Sequence, residues 1–346
     1  MIHNILKMYY KNFFSAYVIF LLFLLVFHGH IVGFLKLTNN THLWFMAAFF
    51  ALNLILIPLM SLLEGLNRFG HRYFATFLGD LSLITSTCVF LYFHFSIEKA
   101  FLAKLSPMVV GIIAMVFFYR RDKVINGSDD VSKPLNEQGK LESKNLLSFL
   151  QIGLGPICMT IILNIDMMIA RVTLSSTDSG TYATISILGK ALFFFATVNL
   201  PLFYVKCNEA FFKKANILII ILKGFGYTTI LSISGLVGLW IIIDLFILLL
   251  NPIYVNDTGL VLYYALSMIP YAFVQMMITL FMSFNTYKAF FVLLIMTMIQ
   301  VIILFLSPHD ILTIVNIRLY SGLVFCVVLV YFIVKIIFHQ KSESKV

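Results

Sequence analysis

Apolar runs of membrane-crossing length recur from one end of the chain to the other, separated by short polar interruptions. Coiled as helix at about 1.5 Å per residue, about 20 such residues match the roughly 30 Å hydrocarbon core of a bilayer. The pattern predicts ten such helices, at about 13–36, 43–63, 72–97, 100–119, 146–171, 180–205, 217–240, 259–284, 287–306 and 312–337. The period-two alternation of a transmembrane barrel is missing from these runs. The expected fold class is therefore all-α, a polytopic membrane helical bundle. Two departures from the rhythm carry information. The stretch "RRDKVINGSDDVSKPLNEQGKLESKN" (120–145) is rich in residues that solvate and cannot bury a core, so it reads as a linker between 1–119, with four helices, and 146–346, with six. The stretch "LWIIIDLFILLLNPIYVNDTG" (239–259) prolongs the seventh run beyond the need of one perpendicular helix. Its excess reads as an interfacial outer segment, which sets Asp244 near the headgroups.

Composition agrees with this picture: 61% of the 346 residues are hydrophobic and 11% are charged. The formal charge of +9 does not imply a nucleic-acid partner, because the basic residues lie scattered in short loops and form no aromatic-interleaved face. They act instead as topology determinants. The side that holds Lys7, Lys11, Arg68, Arg72, Arg120, Arg121, Lys123, Lys206, Lys288 and Lys335 is expected to be cytoplasmic, while the opposite loops carry little beyond Lys36 and Lys99. An even number of spans then puts both termini in the cytoplasm, and the first apolar run reads as a retained helix rather than a cleaved signal. Cys88, Cys158, Cys207 and Cys326 are isolated, which points to neither a disulfide framework nor a zinc site. His28 and His30 stand two positions apart and do not share a helix face, so no metal and no cofactor is predicted.

The informative residues are ionisable groups inside apolar runs. A charge at mid-bilayer costs roughly 2.5–3.5 kcal/mol on insertion scales, so such groups face a bundle interior, a wet cavity or one another. In "NIDMMIARVTLSSTDSGTYATISILGK" (164–190) the fifth and sixth spans form an antiparallel hairpin around residue 176. Asp166 then lies about one helical turn from the level of Lys190, within reach of its side chain. The pair is either a clasp that holds the hairpin in register or part of a cavity lining. Arg171 is placed to snorkel at the outer interface. Arg318, deep in "ILTIVNIRLYSGLVFCVVLVYF", either faces the cavity or is buried elsewhere in the bundle. Asp80 heads a polar stripe with Ser82, Thr85, Ser86 and Thr87, which serves as helix-packing glue or as a sugar or cation contact. Lys104 snorkels from the start of the fourth span. Pro156, Pro201 and Pro270 fall within apolar helices and are candidate hinges or ordinary kinks.

From Gly153 onward, "IGLGPICMTIILNIDMMIARVTLSSTDSGTYATISILGK" resembles the start of the second half of the polysaccharide-repeat-unit flippases, within the superfamily of multidrug, oligosaccharidyl-lipid and polysaccharide exporters. The matching features are Gly155-Pro156 early in a helix, Asp166 near its outer end, Gly180-x-Tyr182-Ala183 after a short loop, and Lys190 in the next helix. "LFILLLNPIYVNDTGLVLYYALSMIPYAF" is similar to a later landmark of the family, and "EGLNRFGHRYFATFLGDLSLI" (64–84) to the short cytoplasmic loop before its fourth helix. Family members have twelve or fourteen helices, so the resemblance implies that the first two family helices are missing, through a misassigned start, a truncated gene or a natural variant.

The resemblance implies translocation of undecaprenyl-pyrophosphate-linked O-antigen or capsule repeat units across the bacterial cytoplasmic membrane, by alternating access and without covalent chemistry. It implies a cavity bearing cationic side chains, in which Lys190 is placed to meet the pyrophosphate; Asp166, Arg318, Asp80 and Arg171 are the further candidates for its lining or for coupling. It further implies a coupling cation or proton, surrounding membrane lipids, and polysaccharide polymerase and chain-length proteins as partners. Two alternatives stay open: a multidrug exporter of the same superfamily, and a membrane-embedded oligosaccharide polymerase or acyltransferase. The second is disfavoured because the chain has no large outer loop and no His-Asp, Ser-His-Asp or DxD constellation.

Overall fold

The computed structural model describes residues 2–34, 41–65, 68–93, 96–125, 146–212, 217–250, 258–284, 286, 288–307 and 310–343. Among these residues there are eleven α-helices and no strand: α1 (Ile2–Phe34), α2 (Thr41–Gly65), α3 (Phe69–Tyr92), α4 (Ile97–Ile125), α5 (Leu146–Thr173), α6 (Ser176–Ala196), α7 (Leu200–Phe212), α8 (Ile217–Leu250), α9 (Thr258–Ser283), α10 (Lys288–Leu306) and α11 (Ile311–Glu343). Nine segments among the described residues are long and apolar enough to cross a membrane, and a tenth, Tyr17–Gly33 in α1, is a shorter apolar stretch. Helix is the necessary outcome for such segments, because lipid offers the backbone no hydrogen-bond partner and the chain must satisfy itself. Large apolar side chains such as Phe77, Ile113, Ile230, Ile241 and Val327 accordingly sit on the exposed surface. The protein is an all-α polytopic helical bundle.

Three expectations need correction. The sixth predicted span, 180–205, is two helices, α6 and α7, because the chain turns through Thr197, Val198 and Asn199. Pro201, second residue of α7, has no N–H to continue α6, and the Leu200 amide instead closes a tight bond to the Thr197 carbonyl at 3.1 Å. Pro201 therefore starts a helix rather than bending one. The seventh predicted span, 217–240, does not end there but runs on through 239–250 as one helix, α8, whose 34 residues reach about 51 Å. Asp244 lies exposed on that helix, while 251–257 fall outside the described residues. The predicted linker, 120–145, begins later than expected, since α4 continues to Ile125; positions 126–145 are also outside the described residues.

The helices gather into two compact units, Met1–Lys140 and Leu141–Val346. In the first, α3 and α4 approach closely where Gly79 meets Pro107; a Cβ at 79 would stand 2.8 Å from the Pro107 carbonyl oxygen. One turn on, Ser82 and Ser86 face Ser106 of α4, with the Ser86 and Ser106 hydroxyls 3.0 Å apart. These two members of the predicted polar stripe join helix to helix.

In the second unit α9 is the central helix, with 72% of its span buried. Its sequence is apolar on every side, as a helix surrounded by others requires. Small residues on its neighbours set the spacing. A Cβ at Gly189 of α6 would fall 2.2 Å from Cδ1 of Tyr264, and one at Gly322 of α11 would fall 3.0 Å from Cβ of Pro270. Pro270 thus lies inside tight packing, and its carbonyl accepts a bond from the Cys326 thiol at 3.1 Å. Pro156 lies within α5 on an exposed face, and its carbonyl accepts the Thr160 hydroxyl at 2.9 Å.

The last helix begins at a conventional cap, where the Asp310 carboxylate accepts the Thr313 amide at 2.9 Å. That hydrogen bonding to Thr313 lowers the Asp310 pKa from its ordinary 3.8. A carboxylate with a depressed folded pKa adds stability that is present above its unfolded value and lost as the pH falls through the folded one. Asp310→Ala should cost about 1 kcal/mol at neutral pH. In thermal unfolding of the detergent-purified protein, the gap between variant and wild type should close in acid.

Candidate functional site

The site is built on the α5–α6 hairpin. Ser175 caps α6: its hydroxyl oxygen accepts the Asp178 amide at 3.1 Å, and the hydroxyl itself donates to the Asp178 carboxylate at 2.7 Å. This cap fixes where α6 starts and hence the rotation of everything after it. Tyr182, Ser186 and Lys190 then follow at intervals of four, so they form one stripe along α6. The stripe is buried and faces Asp166 of α5 and Tyr264 of α9.

Asp166 is the hub, with 0% exposure. Its Oδ2 accepts the hydroxyls of Tyr182 and Tyr264, each at 2.7 Å. Its Oδ1 faces two cations, Nη1 of Arg318 at 3.0 Å and Nζ of Lys190 at 3.5 Å. One carboxylate thereby ties together α5, α6, α9 and α11. The Ser186 hydroxyl lies 2.9 Å from that of Tyr264, and since Tyr264 donates to Asp166, Ser186 is the donor in this second bond.

Arg318 is equally enclosed, at 0% exposure. Besides Asp166, its Nη1 donates to the Ile162 carbonyl at 3.0 Å, and its Nη2 reaches Sδ of Met268 at 3.7 Å. The guanidinium carbon sits 5.1 Å from the Tyr271 ring centre and 5.5 Å from that of Tyr264. Tyr271 in turn donates its hydroxyl to the Arg318 carbonyl at 2.8 Å and accepts the Gln300 amide at 2.9 Å. A flat cation held between aromatic rings and a carboxylate is the arrangement in which Arg tolerates burial best.

Two cations and one anion leave a formal surplus of one positive charge within the bundle. Burying charge in this setting is costly unless it is paired. Asp166 and Arg318 pair at close range. Lys190 holds the longer contact and keeps 7% exposure, whereas the other charged members have none. The uncompensated charge is therefore best assigned to Lys190.

Of the predicted residues, the fold brings Asp166, Lys190 and Arg318 into one cluster. The nearest cation to Asp166 is Arg318 of the last helix rather than Lys190 across the hairpin. Arg171 is not in the cluster; it is exposed in the last turn of α5. Asp80 belongs to the other unit, where it lines a cavity of about 260 Å³ together with Lys104, Thr76, Pro107 and apolar residues. His28 is exposed, its ring nitrogen 3.1 Å from the Leu25 carbonyl. Sequence reasoning missed Tyr182, Ser186, Tyr264, Tyr271 and Gln300 as participants. The four-residue spacing of Tyr182, Ser186 and Lys190 was the available signal for two of them. Nothing along the chain marks Gln300. Among the described residues no group of three or more His, Cys, Asp or Glu is placed to hold a metal. Searches against family models, curated proteins and solved structures find no match to this chain.

Proposed function

We propose that this protein is a flippase for anionic, lipid-linked oligosaccharide repeat units, moving them between leaflets of a bacterial cytoplasmic membrane with both termini on the cytoplasmic side. The observation that carries the reading is the surplus positive charge on Lys190, the one partly accessible charge in a cluster that is otherwise sealed. A polytopic bundle that keeps an extra ammonium at such cost is suited to an anionic cargo. Pyrophosphate between lipid and sugar offers dense charge for charge-assisted hydrogen bonds, which strengthen where water is scarce. The resemblance of 152–190 to repeat-unit flippases supports the same substrate class. Asp166 and Arg318 hold the four helices around Lys190 and present it. Nothing in this reading needs a covalent step or a cofactor; a coupling cation or proton, and polymerase and chain-length proteins as partners, belong to it as proposals.

The experiment is complementation of a flippase-deficient strain. Lys190→Ala should reduce surface glycan at least about tenfold, the effect of losing one charged contact of roughly 1.4 kcal/mol or more, while membrane levels of the protein stay unchanged. Lys190→Arg, which keeps the charge, should retain part of the activity. Full activity in Lys190→Ala removes this residue, and with it the basis of the proposal.

A further inference from the structure

The four partners around Asp166 are not equivalent. Two tyrosine hydroxyls at 2.7 Å and Arg318 at 3.0 Å come from three different helices and have no exposure. Lys190 stands at 3.5 Å, beyond the roughly 2.7–2.9 Å of a well-formed charged N–H···O⁻ bond. Its side chain alone retains surface, 9% against 0% for Asp166. If Lys190 withdrew, the carboxylate would keep two short hydrogen bonds and a close ion pair to a full charge. If Arg318 withdrew, both groups would be left buried and poorly paired. A buried acceptor that stays satisfied costs little when one partner leaves, while an orphaned one costs its full desolvation penalty.

We infer that Tyr182 and Tyr264 are positioning residues that make Lys190 a detachable cation. By satisfying Oδ2 of Asp166, with Arg318 on Oδ1, they free the Lys190 ammonium to leave Asp166 for a phosphoryl oxygen and to return when the anion departs. Asp166 is then the resident stand-in for the cargo's phosphate. Removing the tyrosine hydroxyls makes Asp166 depend on Lys190, so a substitution that touches neither charge locks the lysine in place. The inference rests on the transport reading only for the source of the anion.

The test uses the full chain in detergent micelles, with inorganic pyrophosphate as the probe and an amine-acylating reagent whose modification of Lys190 is followed by mass spectrometry. In the wild type, pyrophosphate should protect Lys190. In the Tyr182→Phe, Tyr264→Phe double variant, both the acylation rate without pyrophosphate and the affinity for it should fall about tenfold, as expected when one charged contact tightens. Tyr182→Phe alone, the milder change, should fall between the two. Tyrosines that only fill space predict the opposite sign, since their loss loosens packing and raises the acylation rate. Labelling of the double variant, or of Tyr182→Phe alone, at the wild-type rate or faster overturns the inference. Translocation is not part of the readout, so the two failures separate. Failed complementation by the wild type beside the expected labelling pattern overturns transport and supports the detachable lysine. Successful complementation beside unchanged labelling does the reverse.

Discussion

Arg318→Met should lower the stability of the C-terminal unit by about 3–5 kcal/mol, because it leaves Asp166 buried with a distant lysine as its sole cation. Met keeps much of the volume and still packs against Met268 and the Tyr271 ring, so the loss reports charge and hydrogen bonding rather than a void. It also removes the bond that Nη1 donates to the Ile162 carbonyl at 3.0 Å. The measurement is thermal or denaturant unfolding of the detergent-purified protein. Adding Asp166→Asn should recover only part of the loss, since the buried carboxylate is gone but Lys190 is then left without an anion, and the double-mutant cycle should give a coupling of about 0.5–3 kcal/mol. Wild-type stability of Arg318→Met would mean that Asp166 does not depend on this arginine.

Gly189→Ala should destabilise the same unit, against the general preference of helices for Ala over Gly of about 1 kcal/mol. The added methyl would lie 2.2 Å from Cδ1 of Tyr264 and 3.1 Å from the backbone nitrogen of Ala265. The backbone of α9 cannot yield cheaply in so enclosed a place. The ring cannot swing away without losing its 2.7 Å bond to Asp166. Overpacking of this kind costs about 1–3 kcal/mol. In a Tyr264→Leu background much of the cost should disappear, because the 2.2 Å clash is gone and only the 3.1 Å approach to the Ala265 nitrogen is left to set against helix preference. Unfolding midpoints of the four proteins in this cycle decide the matter. A stabilising Gly189→Ala in the wild-type background would contradict the close approach of α6 and α9.

Much of the architecture is legible in the apolar pattern of the chain. Each of the ten apolar runs is helical over nearly all of its described residues, the exceptions being Phe93, Ser96, the turn at 197–199 and Phe284, and lipid leaves such runs no alternative to helix. The split of the sixth run is harder to see, because Thr197, Val198 and Asn199 barely interrupt its hydropathy; only Pro201, which reads as a hinge, hints at a break. The continuation of α8 is misjudged for the opposite reason, since a run too long for one perpendicular crossing need not divide when the helix can tilt or protrude. Within the site, Asp166 and Lys190 can be placed near each other because a short hairpin fixes which residues are level. Helical spacing also puts Tyr182 and Ser186 on the face of Lys190, although their polarity is too slight to single them out among many membrane tyrosines and serines.

The order of apolar and polar residues alone therefore determined that this chain is a helical membrane bundle, where its helices lie, and which charges had to turn inward. Those outcomes follow from local geometry and the cost of exposing backbone or charge to lipid, both of which act on each segment by itself. That Arg318 rather than Lys190 is the close partner of Asp166, and that Tyr264, Tyr271 and Gln300 complete the cluster, was decided only by tertiary packing. Those residues are far apart in the chain and meet because Gly189 and Gly322 let α6 and α11 press against α9. Contacts of that kind depend on the rotation and spacing of several helices at once, a property that no single segment encodes.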